Sequence, residues 1–357
     1  MGFDLTCIKN MFNVVQKARG AGGPINYMDI GLQLIKIAGP YVVQYLGEVS
    51  RPPHVDVDDA FEQAGNTQGY QPWEAPSPGS GNVRALFIGI NYYGTSAQLS
   101  GCCNDVKQML ATFQKKRFPI KEVNILVDER NFPGRTEQPT RANIIRYMAW
   151  LVKDAKPGDV LFLHFSGHGT HTRALHDVGE RYDQCIVPVD FRSSGCILDN
   201  DINKILVSRL PRGVRFTAVF DCCHSGSMLD LPFTFVGSRI LTSAANGHMR
   251  RIRRGNFSEA DVLMISGCAD EQTSADVGNT AAFGTGATGA GGAATQCLTY
   301  TLLKTSNLSY QDTLIATRDM LRSKKFEQVP QLSATKPINL QQEFSLIKPF
   351  QIDPYFA

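Results

Sequence analysis

The 357 residues carry 36 basic against 33 acidic side chains, a formal net charge of +3, with 43% hydrophobic and 19% charged residues. This balance belongs to a folded globular chain: it excludes wholesale disorder and a membrane bundle, and no stretch forms the Lys/Arg stripe of a nucleic-acid surface. The nine cysteines are an odd number and no amino-terminal signal peptide precedes them, so a reduced, cytoplasmic setting is expected.

The opening Met1-Gly2-Phe3-Asp4-Leu5-Thr6 fits a loose myristoylation pattern with Cys7 placed for a second acyl chain, although Phe3 is bulky beside the glycine. Peripheral association with vesicles stays open on that account. Residues 1–50 read as helical, with Ile30, Leu32, Leu34, Ile35 and Ile37 forming an imperfect stripe before Gly39-Pro40. The weakly charged run Ile37 to Gly47 is far short of the roughly 20 apolar residues that a membrane span requires. From Arg51 to Gly81 the prolines at 52, 53, 72, 76 and 78 mark an extended linker or a strap lying on the core. Residues 1–80 are therefore expected to be an amino-terminal extension, and 81–357 the main domain.

Beyond that point strands and helices alternate. Strands are expected at Val83–Ile90, Glu122–Val127, Asp159–Ser166, Cys185–Val189, Phe216–Cys223 and Val262–Cys268. Helices are expected at Asp105–Arg117, from a Thr140 cap to Asp154, at Asn200–Leu210, Ala294–Lys304 and Tyr310–Lys325. Apolar strands separated by helices argue for an α/β sandwich with a mostly parallel central sheet flanked by helices. The low-complexity stretch Gly278–Gly292 reads as a surface loop or a flap near a cleft. The basic clusters Lys115-Lys116-Arg117 and Arg250–Arg254 read as solvated faces, the second alternatively as a cleavage site.

In parallel sheets, ligands bind beyond the carboxyl ends of the strands. Two such ends stand out: His164-Phe165-Ser166-Gly167-His168-Gly169 and Asp221-Cys222-Cys223-His224-Ser225-Gly226. A thiolate attacks a peptide carbonyl when an imidazole within reach takes its proton and later protonates the leaving amine. On neighbouring parallel strands, His168 and Cys223 would meet across one edge of the sheet. Strand alternation puts Val219, Asp221 and Cys223 on one side and the apolar Ala218 and Phe220 with Cys222 on the other, which favours Cys223 over Cys222 as nucleophile. Asp105, Ser166 and Asp221 could line a pocket there, and paired carboxylates favour a guanidinium or ammonium; a helix cap or loop hydrogen bond is the other reading of each.

The motifs His-Phe-Ser-Gly-His-Gly-Thr at 164–170 and Asp-Cys-Cys-His-Ser-Gly-Ser at 221–227 are similar to those of the type I metacaspases, within the caspase-like cysteine peptidases. The likeness covers roughly residues 80–350 and is nearest to the kinetoplastid members. It implies a caspase-like fold, a His168/Cys223 dyad, an oxyanion site at the backbone of Gly169 and Cys223, monomeric action, and calcium-stimulated cleavage of peptides after Arg or Lys. Asp105, in the turn after the first strand, would help bind the basic side chain. Calcium ligation would fall to Asp183, Asp199, Asn200 and Asp230. Asn200 departs from the usual carboxylate, and one less negative charge lowers calcium affinity, so activation at relatively high calcium is expected. Arg51 or Arg250–Arg254 are candidate self-cleavage sites, and the first 70 or so residues could cover the cleft. A catalytically silent caspase-like scaffold is the competing reading, and a legumain- or paracaspase-like peptidase a third.

Overall fold

The computed structural model describes residues 53–74, 81–173, 182–222, 225–236, 247–267, 276–277, 291–304, 307–326 and 328–356. The expected helical stretch before Arg51, most of Gly278–Gly292, and Cys223 lie outside them. The chain divides between Ser50 and Arg51 into two units, and all the described residues belong to the second.

In chain order that unit runs α1 (Val57–Gln63), β1 (Val83–Gly89), α2 (Cys102–Lys115), β2 (Glu122–Val127), α3 (Arg141–Val152), β3 (Val160–Ser166), β4 (Gly169–Arg173), β5 (Tyr182–Ile186), α4 (Phe191–Ser194), β6 (Ile197–Leu198), α5 (Asp199–Leu206) and β7 (Arg215–Asp221). It continues with β8 (Phe233–Val236), β9 (Arg250–Arg251), β10 (Asp261–Ser266), β11 (Asp276–Val277), β12 (Gly291–Gly292), α6 (Ala293–Lys304), α7 (Tyr310–Ser323) and β13 (Gln331–Ala334). The main sheet has the order β2-β1-β3-β7-β10-β13-β8-β9. Its first five strands are parallel and the last three antiparallel.

Strands β1, β3 and β7 are buried at every residue, which is why β1 and β3 are mostly apolar rather than alternating, while β7 also buries Arg215, Thr217 and Asp221. One core layer gathers Phe87, Phe113, Phe162, Val106, Met109 and Ile125 between the sheet and α2. Residues 53–74 lie against this domain. Tyr70 exchanges backbone hydrogen bonds with Val123 (3.0 and 2.8 Å), and the Trp73 indole donates to the Phe118 carbonyl at 3.1 Å. The strap thereby covers part of the free edge of β2, which would otherwise offer unpaired backbone groups.

Several elements differ from expectation: α5 ends at Leu206 rather than Leu210, β4, β6, β8 and β9 have no expected counterpart, and two further differences bear on the site. Helix α2 starts at Cys102, three residues before Asp105, because the Asn91 side chain accepts the Cys102 N–H at 2.8 Å and satisfies an otherwise orphaned donor. Asp105 is thus inside the first turn. The strand expected at Cys185–Val189 is β5, which leaves the parallel sheet altogether and pairs antiparallel with β4 and β6. Five residues in a hairpin with apolar ends carry the same local pattern as a buried parallel strand.

A single glycine sets the distance between β1 and α2. A Cβ at Gly89 would stand 2.7 Å from the Cys102 carbonyl oxygen and 2.8 Å from Val106 Cγ2. Gly89→Ala is expected to cost about 1–3 kcal/mol in urea unfolding, the usual range for overpacking, whereas Gly255→Ala, which faces open space, should stay within about 0.5 kcal/mol. Equal effects at the two positions would show that the β1–α2 spacing is not held tightly.

Candidate active site

Sheet register brings the first group together. Gly89 lies beside Ser166, and Ser166 beside Asp221, at the carboxyl ends of β1, β3 and β7. With no side chain on Gly89, α2 approaches closely enough for Asp105 to accept a hydrogen bond from Ser166 Oγ at 2.7 Å. The Gly292 N–H points at both Asp105 oxygens (2.9 Å each), and Gln296 Nε2 donates to Oδ1 at 3.0 Å. Asp221 Oδ2 accepts the Thr295 N–H at 2.7 Å. The two carboxyl groups therefore flank Gly292 at the amino end of α6, where the helix dipole favours negative charge. A Cβ on Gly292 would come within 2.4 Å of Asp221 Oδ2 and 2.8 Å of Asp105 Oδ2. The structure thus unites Asp105, Ser166 and Asp221, and in this conformation both acids also serve as caps.

Both acids are almost wholly buried. Burial raises the Asp105 carboxyl well above the usual range, and the adjacent Asp221 charge adds to the effect, while hydrogen bonds from Ser166, Gln296 and Gly292 oppose it.

His168 sits in the turn from β3 to β4. Its Nε2 lies 2.7 Å from the Ala97 carbonyl, and since a carbonyl only accepts, Nε2 carries the proton and Nδ1 has the free lone pair. The Tyr92 hydroxyl accepts the His168 N–H (2.9 Å) and donates to the Val187 carbonyl (2.7 Å), and the Tyr92 and His168 rings lie 4.7 Å apart. The imidazole is thus clamped by the segment after β1 and the residue after β5. Burial lowers its pKa, with the Ala97 contact acting in the other direction. Gly169 opens β4 opposite Ile186. Cys222 is fully buried, as alternation suggests, but so is the opposite face of β7, including Val219 and Asp221, so burial does not separate the two faces.

The acidic residues form a second group. Asp183, Asp199 and Asp230 are buried. Asp199 accepts N–H groups from Gln184 and Asn200 (2.8 Å each), and Asn200 Nδ2 is 3.5 Å from Asp183 Oδ1. Burial raises the Asp199 carboxyl, and the charges of Asp230 and then Asp183 raise it further, so the three carboxylates are electrostatic neighbours. Arg253 Nη2 contacts Asp230 Oδ1 at 2.7 Å. Oxygen donors of this kind suit a hard cation such as calcium. Yet no three His, Cys, Asp or Glu side chains among the described residues converge on one point as metal ligands would.

A family model for the metacaspase, peptidase C14 domain matches residues 83–232, from β1 to the turn after β7. Metacaspase-3 of Trypanosoma cruzi (strain CL Brener) is 70% identical to this chain over 100% of both. The chain belongs to the type I metacaspases. Metacaspase-3 of Trypanosoma brucei brucei is 63% identical over 99% of both chains, and the inactive metacaspase-4 of the same organism is 52% identical over 91% of this chain and 92% of its own. A crystal structure of a Geobacter sulfurreducens protein superposes with a TM-score of 0.50 over 75% of this chain and 100% of its own, at 21% identity, a likeness of fold alone. This metacaspase is accordingly a caspase-like cysteine peptidase, a hydrolase acting on proteins.

Several residues of the site escape sequence reasoning. Tyr92 and Ala97 follow the carboxyl end of β1, the one strand end whose residues carry no obvious nucleophile or base. Gly292, Thr295 and Gln296 are concealed by the low complexity of the stretch before them.

His164, inside the first motif, is fully buried on β3, with Nε2 3.3 Å from Thr295 Oγ1 and no hydrogen-bond partner for Nδ1 among the described residues. Burial pushes its pKa down to about 3. The folded imidazole stays neutral where the unfolded one, near 6.5, takes up a proton. Its contribution to stability is thus complete above that value and is lost as pH falls toward 3. Each unit corresponds to about 1.4 kcal/mol. Between pH 7 and pH 4.5 the His164→Leu variant should therefore lose about 3 kcal/mol less stability than the parent; parallel pH–stability curves for the two would contradict this account.

Proposed function

We propose that this metacaspase cleaves peptide bonds after Arg or Lys through a Cys223/His168 dyad, with Asp105, Ser166 and Asp221 receiving the basic side chain. The observation that carries the reading is the buried pair of carboxyl groups beside the His168 turn. In this conformation Gly292 passes between them; a guanidinium taking that place would offset their mutual repulsion and offer a fork of donors to both, whereas a substrate aspartate would add a third negative charge.

His168 Nδ1, the nitrogen left free by the Ala97 contact, takes the Cys223 thiol proton. The thiolate adds to the substrate carbonyl, and the Ala97 carbonyl steadies the imidazolium through Nε2–H. The imidazolium then protonates the leaving amine, and water hydrolyses the thioester with His168 again as base. Backbone N–H groups of Gly169 and Cys223 are the proposed donors to the oxyanion.

Calcium stimulation is assigned to Asp183, Asp199, Asn200 and Asp230, whose oxygen donors would hold the ion; bound there, it would neutralise the carboxylates beside the chain that leads from Cys223 to Asp230. The amide at Asn200 favours a high calcium requirement. Monomeric action in the cytoplasm, a covering role for the amino-terminal extension, and self-cleavage at Arg51 or Arg250–Arg254 complete the reading. No described helix is long and apolar enough to cross a membrane. The silent-scaffold alternative, which the name of metacaspase-4 brings to mind, has less support here because His168 and Cys223 are both present.

A peptide library read with and without calcium tests the whole. Cleavage should follow Arg and Lys, rise with calcium, and vanish in Cys223→Ala. Asp221→Asn should lower kcat/KM for Arg peptides about 100-fold, as expected when a charge-assisted hydrogen bond is lost. Cleavage after Asp, or full activity of Cys223→Ala, would overturn the assignment.

A further inference from the structure

The acidic group is chemically suited to a hard cation, yet its carboxylates do not converge. One of them, Asp230, is paired with Arg253. Asp230 is 2% exposed at its side chain, and Arg253, at 19%, reaches in from the surface to within 2.7 Å of it. The contact is held from both ends. Asp230 adopts a left-handed backbone (φ 52°), closes a turn through its N–H to the Ser227 carbonyl at 2.7 Å, and accepts Asn256 Nδ2 on its own carbonyl at 3.2 Å. The Ile252 N–H donates to the Pro232 carbonyl at 2.8 Å, which lays the arginine segment along the same turn.

We propose that Arg253 is a built-in counter-cation of the acidic group, which competes with calcium for Asp230 and leaves it when the ion binds. This rests on the calcium reading above and deepens it. An apolar interior tolerates clustered carboxylates only when they are compensated, and the Arg253 guanidinium supplies such compensation to Asp230. Asp230 cannot hold the guanidinium and a calcium ion with the same oxygen. Binding of one therefore opposes the other, and the ion that displaces Arg253 removes one tie between the segment around β9 and the turn that follows the nucleophile, the hydrogen bonds of Ile252 and Asn256 remaining. The device raises the calcium threshold independently of Asn200.

The test uses the full chain carrying Cys223→Ala, so that self-cleavage does not interfere. Calcium affinity is measured by calorimetry and by terbium luminescence. Adding Arg253→Gln should tighten binding about tenfold, within the usual range of coupling between two sites, while Arg253→Lys, which keeps the charge, should change it far less. In the parent, phenylglyoxal labelling of Arg253, read by mass spectrometry, should increase when calcium is added; this second readout decides the matter even if Arg253→Gln fails to fold. Unchanged or weaker binding in a folded Arg253→Gln protein, or labelling indifferent to calcium, would overturn the inference and leave the calcium reading intact. Absence of calcium binding in the parent would remove both.

Discussion

The carboxyl edge of this sheet is organised by the burial of two acids side by side. Asp105 and Asp221 come from α2 and β7, and apart they would be routine hydrogen-bonding groups. Brought together they repel, and their burial is tolerable only because donors arrive from elsewhere: Ser166 from β3, and Gly292, Thr295 and Gln296 at the start of α6. The position of α6 is thus tied to the acids as much as to apolar packing. The raised Asp105 carboxyl shows that this compensation is incomplete. A proton is the smallest cation able to complete it.

That arrangement depends on spaces that side chains would close. Gly89 lets α2 come down onto β1, and Gly292 passes between the two carboxyl groups. Each glycine looks unremarkable in the sequence, one at the end of an apolar strand and the other in a run of glycine, alanine and threonine. Their roles become visible only when elements about 13 and 190 residues apart are seen in contact, since close approach is a property of pairs and not of local sequence.

The same distinction separates what was legible beforehand from what was not. Strands buried on both faces leave long apolar runs, so the parallel half of the sheet and the turns carrying Ser166, His168 and Asp221 could be read directly. Caps within reach of a chain neighbour, such as Thr140 for α3, were equally plain. The start of α2 is not legible locally because its first N–H is satisfied by Asn91, across a loop, and the place of β5 is not because its hairpin pairing leaves no local trace. For His168, sequence suggested a base but not which nitrogen, and that is decided by the Ala97 carbonyl alone. Alternation along β7 predicted the burial of Cys222 correctly, yet a strand enclosed on both sides gives that argument less force than it has on a half-exposed sheet.

The two acidic groups of this metacaspase resolve one physical problem in different ways. At Asp105 and Asp221 the compensating donors are backbone and neutral side chains at the start of α6, and Gly292 takes the space between the two carboxyl groups. At Asp230 the compensation is a guanidinium on a partly exposed side chain, which can leave at the cost of one ion pair. Compensation built into the start of a helix is fixed with the fold. A displaceable partner suits control, because an ion that outcompetes it alters what the surrounding turn is tied to. Asp221 ends β7 and Asp230 closes the turn beyond it, so the two kinds of compensation stand nine positions apart along the chain.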